Sequence, residues 1–556
     1  MKKKRISQVL GIALTFSMVF GMVGCGDQST TDKDKDVSVE KSEDVEEKGT
    51  SQEEVAETGG EITYPLDTSD TLTIWHKNQL QPYSTYKDYT ESPFHTGLAE
   101  NTGVEVMWTA PAEGAELSQA FNLLLTEDVL PDIIFTNMTA GQAEQLINDG
   151  VIYDLTEYLP IYAPDYWEKI HEDKYYSVLQ SITTDSGKFY GFENFIEDVE
   201  RFTYVGPVIR QDWLDELGLE TPVTLEDWED VLVAFKENYG ATFGFFSARL
   251  NSGSLGSGVG AYATFNTRLY VDDNGKVQLA QAQEEWKEYM EYLHRWWEMG
   301  LIDKDSVTMD DAAVRTKVLN GEIGVSVTAS SQLENWVNDA ETEGTGANWV
   351  GFEYPRTAEG EPTCMIHAVY SNTQSWCAMV TTSCPEERLI TALKWLNYGY
   401  TEEGLMYWNY GTEGVSYYLD DNGEAQWTEL VTEDPDGMLQ ASKKYIGTHG
   451  TGITVQLTHA GNIRLKEVTL EAKDKWTENT VASSHCMPNV SLSDEESTRY
   501  TDLWSSIGTY VSEMAMKFMS GDESLDDFDN FLEELNAMGL EEALEIQQAA
   551  YDRFME

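Results

Sequence analysis

The sequence predicts an α/β protein of more than one lobe, and three observations carry that prediction. Its 556 residues exceed what one ordinary core accommodates. Between Thr71 and Ile147, strand-like and helix-like runs alternate in the βαβα rhythm of a parallel sheet covered on both faces. From Tyr204 onward a second pattern of the same kind begins.

The first residues belong to no fold. Lys2, Lys3, Lys4 and Arg5 form a basic leader, Val9 to Val23 is apolar or small, and the run closes on Met22-Val23-Gly24-Cys25. It is too short for a transmembrane helix, which needs about 20 apolar residues, so it reads as an export signal. Its last four residues resemble a bacterial lipobox with Met in place of the more usual Leu. That resemblance implies cleavage after Gly24 and a lipid on Cys25; the alternative is an ordinary secretory signal with an incidental cysteine. Residues 25–60 then read as a lipidated Cys and an acidic tether. From Gly26 to Gly60 there is no aromatic residue and acids outnumber bases twelve to four, too little apolar surface to offset chain entropy. The expected location is the outer face of the cell membrane, held by lipid.

The folded part opens with the alternating strand Thr71-Leu-Thr-Ile-Trp75, then a loop from His76 to Pro93 and a segment ending at Gly103. Val104–Trp108 is a second strand, Phe121–Leu125 an apolar helical stretch, Leu130–Phe135 a short buried strand and Gln142–Ile147 a helix. Tyr204–Arg210 is a strand feeding a helix at Asp212-Trp213-Leu214 that stops near Gly218. Thr224-Leu-Glu-Asp227 is a capping-box start for a helix carrying Trp228, Val231, Leu232 and Phe235. Glu284–Met299 is amphipathic, with Trp286, Met290, Leu293 and Trp297 on one stripe. Asn274-Gly275 and Asn422-Gly423 read as hairpin turns. Acidic helices run to Glu556.

Charge narrows the partners. With 36 Lys+Arg against 98 Asp+Glu the formal charge is −62, and such a surface repels nucleic acid, whose binding rests on Lys and Arg displacing counterions. Neutral, zwitterionic or cationic ligands fit. No C-x-x-C or H-E-x-x-H occurs, so structural zinc and zincin chemistry have no support in the sequence; no cofactor and no metal-ligating residue is singled out, and bound calcium stays an open alternative. Besides Cys25 there are Cys364, Cys377, Cys384 and Cys486, of which Cys377 and Cys384 are a plausible disulfide pair. Gly258-Val-Gly260 is a degenerate dinucleotide match without a convincing preceding strand and reads as loop; no G-x-S-x-G elbow appears.

A string of short motifs then points to a family. Leu72-Thr-Ile-Trp75, Glu100-Asn-Thr-Gly103, Leu130-Pro-Asp-Ile133, Gly187-Lys-Phe-Tyr-Gly191, Ile209-Arg-Gln-Asp-Trp-Leu214, Thr224-Leu-Glu-Asp-Trp228, Asn409-Tyr-Gly-Thr-Glu-Gly414 and Gly521-Asp-Glu-Ser-Leu525 resemble, in order, the extracellular solute-binding proteins of family 1. More narrowly they look like the long lipoprotein branch serving carbohydrate importers of the ATP-binding-cassette class. The resemblance implies a two-lobed type II periplasmic-binding-protein fold with interleaved lobes and a hinge, and ligand capture and delivery to a permease without chemistry. Applied to this chain, it implies a signal peptide at 1–24, one lobe from 61–197 plus 377–425, and the other from 198–376 plus 426–556. The crossings would fall near Phe192, Trp376 and Gln426.

Ligands of open α/β sheets lie beyond the carboxyl ends of strands. That rule, with the resemblance, singles out Trp75, Asn78, Asn137, Glu193, Asn194, Trp376, Tyr410 and Glu413 as ligand-binding candidates. The mix suits a carbohydrate, an oligosaccharide in particular: aromatic faces cover its C–H surface while amides and carboxylates bond its hydroxyls. Trp376 and Tyr410 are the expected stackers. Duller readings stand beside these, with Trp75 as a core plug, Trp213, Trp228, Trp286 and Trp297 as helix-stripe packing, and Arg210 with Asp212 as a structural ion pair. Two rival functions share the features: a lipid-anchored glycosidase using paired carboxylates, and a peptide or amino-acid receptor of the same fold.

Overall fold

The computed structural model describes residues 62–76, 89–112, 115, 117–184, 186–198, 204–245, 255–265, 267–356, 373–448, 452–477, 485–488 and 490–555. Two sheets organise them. The first has six strands in the order β14-β4-β11-β3-β1-β2, formed by β1 (Thr71–His76), β2 (Glu105–Thr109), β3 (Ile133–Asn137), β4 (Phe192–Ile196), β11 (Thr373–Val380) and β14 (Val455–Gln456). β1 runs parallel to β2 and β3, while β11 inserts antiparallel between β3 and β4. The second sheet has the order β10-β5-β9-β6, from β5 (Val205–Arg210), β6 (Thr242–Phe243), β9 (Ile323–Ala329) and β10 (Trp349–Gly351). Two hairpins complete the strands: β7 (Leu269–Val271) with β8 (Val277–Leu279), and β12 (Tyr417–Leu419) with β13 (Ala425–Trp427). They close at the two Asn-Gly turns read from the sequence.

Local chemistry accounts for the helix ends. Thr224 Oγ1 accepts from Asp227 N–H while the Asp227 side chain accepts from Thr224 N–H, so the capping box starts Leu225–Tyr239 as expected. Gln211–Leu217 ends on left-handed Gly218. Gly103 does the same for Pro93–Thr102, and any side chain there would strike Leu66 backbone. Glu284–Glu298 buries Trp286, Met290, Leu293 and Trp296; Trp297, expected on that stripe, is half-buried one position off it. This helix packs against Asp494–Ser520, and both fill a second-lobe core with Trp228, Phe243 and Phe531. The first-lobe core joins Leu72, Ile74, Ile133, Phe135, Tyr166, Phe192 and Met379. Arg210 and Asp212 form the anticipated bidentate ion pair, at 2.8 and 2.5 Å. Among the described residues no helix is long and apolar enough to cross a membrane.

The chain passes from the first sheet at Ile196 to the second at Val205 and is back in the first at Thr373. A final crossing is expected near Gln426, yet β14, about thirty residues downstream, still belongs to the first sheet. Val431, Ala441 and Ile446 pack with Tyr410, Tyr417 and Trp427, Gly447 N–H bonds Trp408 O, and β14 adds to β4 at the sheet edge. Apolar side chains of 427–446 therefore bury themselves against the preceding helix, and this holds the segment to the first lobe. Only then does Glu467–Thr477 reach β10 and β5, with Trp476 Nε1 donating to Pro207 O at 2.9 Å.

The plausible Cys377–Cys384 pair is not a disulfide: both thiols are buried and free. Cys377 lies within β11, its sulfur packed so closely over Gly191 that a Cβ there would come within 2.3 Å. Cys384 lies beyond the strand's other end, beside Asp132 and Arg388; burial first, then Asp132, pushes its thiol up to about 12. Cys25 and Cys364 lie outside the described residues.

Candidate ligand-binding site

Three adjacent strands of the first sheet, β3, β11 and β4, converge where the sequence candidates cluster. β11 pairs with β4 at Thr373↔Phe195 and again at Cys377↔Glu193, so four steps along β11 match two along β4. This is a bulge, and it sits opposite Asn194. Bulges bend a strand and re-aim its side chains, commonly beside binding sites. Within the bulge, Trp376 stands directly across from Asn137 on β3. Directly opposed residues share a sheet face, so the Trp376 indole and the exposed Asn137 amide look out together. The half-buried Trp376 ring leans on Phe135 with centroids 6.0 Å apart, and His76 stacks on the same Phe135 at 4.8 Å.

Asn194 is the anomaly of this region. Its side chain is 1% exposed, and neither Oδ1 nor Nδ2 has a hydrogen-bond partner among the described residues. A buried unpaired amide costs on the order of 1–3 kcal/mol, a cost that a ligand hydroxyl can remove.

Glu193, one residue earlier, belongs to the opposite face, in register with Cys377 and, through it, Thr136. Its backbone is clamped: its N–H donates to Tyr166 Oη at 3.1 Å and its carbonyl accepts from Tyr400 Oη at 2.6 Å. Its side chain lines a cavity of about 560 Å³ walled by Met138, Thr139 and Gln180 on the first lobe and by Ser491, Glu496 and Arg553 on the second. Arg553 is held by Glu496 through two bonds of 3.0 and 2.7 Å, and the Gln180 amide bonds Phe554 O across the lobes. Sequence reading missed the second-lobe wall, because Ser491, Glu496 and Arg553 flank long charged helices and look solvated in one dimension.

A further aromatic group lies at the ends of β1 and β2. Tyr89 stacks on Trp108 at 5.5 Å, and His95 meets both rings edge-on. Burial, with His76 nearby, lowers the His95 imidazole to about 3, so it is neutral and Nδ1 is free to share a hydrogen bond with Ser92 Oγ at 2.9 Å.

The other candidates go elsewhere. Trp75 is 6% exposed and packs against Phe121, as core does. The Tyr410 ring is 2% exposed and enclosed by Tyr417, Trp427 and His459, leaving no open face for stacking. Glu413 is exposed and lines a separate acidic groove with Asp165, Glu168, Glu402 and Glu403. Asn78 lies outside the described residues.

Residues 78–406, more than half of the chain, match the family model for bacterial extracellular solute-binding protein. The chain belongs to that family. This solute-binding protein is 24% identical over 525 residues to the fructooligosaccharide ABC transporter substrate-binding protein FusA of Streptococcus pneumoniae serotype 4, covering 89% of this chain and 92% of FusA. Over a shorter span it is 26% identical to lipoprotein LipO of Bacillus subtilis, covering 45% of this chain and 50% of LipO. Among solved structures, the alginate-binding protein AlgQ2 superposes with a TM-score of 0.68 at 20% identity, over 89% of this chain and all of AlgQ2. FusA in complex with kestose gives 0.66 at 20% identity, over 87% of this chain and 99% of FusA. The two-lobed α/β fold is thus that of substrate-binding proteins.

Proposed function

We propose that this protein is an outward-facing receptor, lipid-anchored through Cys25, that captures an oligosaccharide between its lobes and delivers it to an ABC permease without chemical change. The names of FusA and AlgQ2 supply the ligand class, and LipO is named a lipoprotein. The observation that carries the reading is the orphaned Asn194 amide beside the Trp376 bulge. A sugar ring offers an apolar C–H surface to the indole and hydroxyls to the orphaned Asn194 amide, with the Asn137 amide on the same face. Glu193 serves from the neighbouring cavity. Ligand contacts available only when both lobes meet it favour the closed form.

The test is calorimetry of the mature protein against fructo-, galacturono- and mannooligosaccharides, with chromatography of the same mixtures. Binding without new products is expected. Turnover would replace the receptor with a glycosidase, and a response only to peptides would replace the sugar.

A further inference from the structure

Where the chain makes its final crossing between lobes, three cations converge in a protein that has almost three acids for every base. Arg464 follows the short helix Thr458–Asn462, Lys473 sits on Glu467–Thr477, and Lys443 ends Met438–Ser442. The three side chains are close enough that Arg464, after burial, is what holds both lysines below their ordinary range, Lys443 at about 8.

Arg464 is the unusual member. It is 7% exposed, its Nη1 is buried with no hydrogen-bond partner among the described residues, and its Nε makes one long bond, 3.4 Å, to Gly461 O. Other arginines of this chain find carboxylate forks: Arg388 with Asp132, Arg315 with Asp339, Arg499 with Glu542. The acid felt by Arg464 is Glu334, and its Oε2 already accepts from Lys466 N–H and Thr469 Oγ1, each at 3.2 Å. Lys473 Nζ is spent on Asn462 Oδ1 at 3.0 Å, a neutral acceptor, and Lys443 Nζ donates to Gln440 Oε1 at 3.2 Å. A guanidinium has five donors in a fork that matches planar and tetrahedral oxyanions. Burying it with Nη1 unpaired is costly, and Glu334 offsets that cost only in part.

We propose that Arg464, Lys443 and Lys473 form a recognition site for one small oxyanion at the lobe crossing. Lys443 stands on the first-lobe side and Lys473 on the second, with Arg464 between them, so a bound oxyanion ties the lobes through this corner. The shared chemistry admits two sources, a free inorganic oxyanion or the carboxylate of an acidic sugar. The sugar source rests on the carbohydrate reading above; the inorganic one does not.

The experiment compares the mature protein with Arg464→Met and Lys473→Gln. Binding is measured by calorimetry and thermal unfolding, with sodium sulfate against sodium chloride at equal ionic strength, and with galacturonate against galactose. The expected result is saturable binding of sulfate or galacturonate, no response to galactose, and at least a tenfold loss of affinity in either variant. A second expectation is that Arg464→Met unfolds at the same temperature as the wild type or higher when no oxyanion is present, since it removes an incompletely compensated buried charge. Sulfate alone identifies the free oxyanion, and galacturonate binding at least tenfold tighter than sulfate identifies the sugar carboxylate. The proposal is overturned if neither oxyanion exceeds chloride, or if Lys473→Gln responds as the wild type does. Failure here alongside intact binding of a neutral oligosaccharide removes the oxyanion site and leaves the receptor reading standing.

Discussion

At one end of the first sheet, Asp132 is 2% exposed and its carboxylate is fully occupied. Oδ1 takes Nε and Nη2 of Arg388 at 3.0 and 2.6 Å, and Oδ2 takes Thr73 N–H and Oγ1, both at 2.8 Å. At the other end of the same strands, Asn194 is equally buried and both of its amide atoms are orphaned, beside a bulge that carries a half-buried tryptophan. A satisfied buried polar group pins the sheet to the helix Glu386–Tyr398, from which Arg388 projects. An unsatisfied one beside this bulge is a place that a group from outside can complete. The contrast sets architecture beside the proposed binding face within a few strand lengths.

The largest effect that tests this contrast is at the satisfied end. Arg388→Ala strands the buried Asp132 charge and should cost about 3 kcal/mol or more in urea unfolding, with oligosaccharide affinity unchanged wherever the protein is folded. A weaker ligand response in the folded state would mean the two ends are coupled.

At the ligand end, Trp376→Ala should weaken oligosaccharide binding by about 1–3 kcal/mol, the range for one large aromatic contact, with a smaller loss of stability than Arg388→Ala. Calorimetry and melting on one preparation decide it. Intact affinity with a large drop in melting temperature would assign the indole to the core.

Asn194→Leu sharpens the comparison because two readouts should move in opposite directions. Replacing a buried unpaired amide by an apolar group of similar size should raise stability by about 1 kcal/mol while lowering affinity for sugar. A strong destabilisation would show that the amide has a structural partner.

The smallest expected effect concerns the frame of the ligand end. Burial alone would raise the Glu144 carboxyl, but hydrogen bonds from Ser186, Thr184 and Lys188 outweigh it and bring it down to about 2. A carboxylate held below its unfolded value contributes stability that is complete above that unfolded value, about 4.5, and is lost as pH falls toward 2. Because the group is only partly buried, water still screens it and the contribution is modest. Glu144→Gln should flatten the acid limb of the stability curve between about pH 5 and 2, and superimposable limbs would show that these bonds carry no net energy.

Much of this was legible in the sequence. The capping box at Thr224, the stop at Gly218, both Asn-Gly hairpins and the strands around Ile74 and Ile133 are encoded within a few residues, because backbone propensity, caps and turn chemistry are local. Strand-end logic likewise singled out Asn137, Asn194 and Trp376 as candidates. Tertiary structure decided what each candidate faces. Trp75 and Trp376 both sit in strands of the first sheet, yet Trp75 meets Phe121 from a helix more than forty residues away while the bulge against β4 turns Trp376 outward. Tyr410 was claimed by Trp427, and β14 downstream of both still belongs to the first sheet. The register that sets Trp376 against Asn137 joins positions more than two hundred residues apart. Pairing at that distance is chosen by which apolar faces can be buried together across the whole chain, and no local run of residues specifies it.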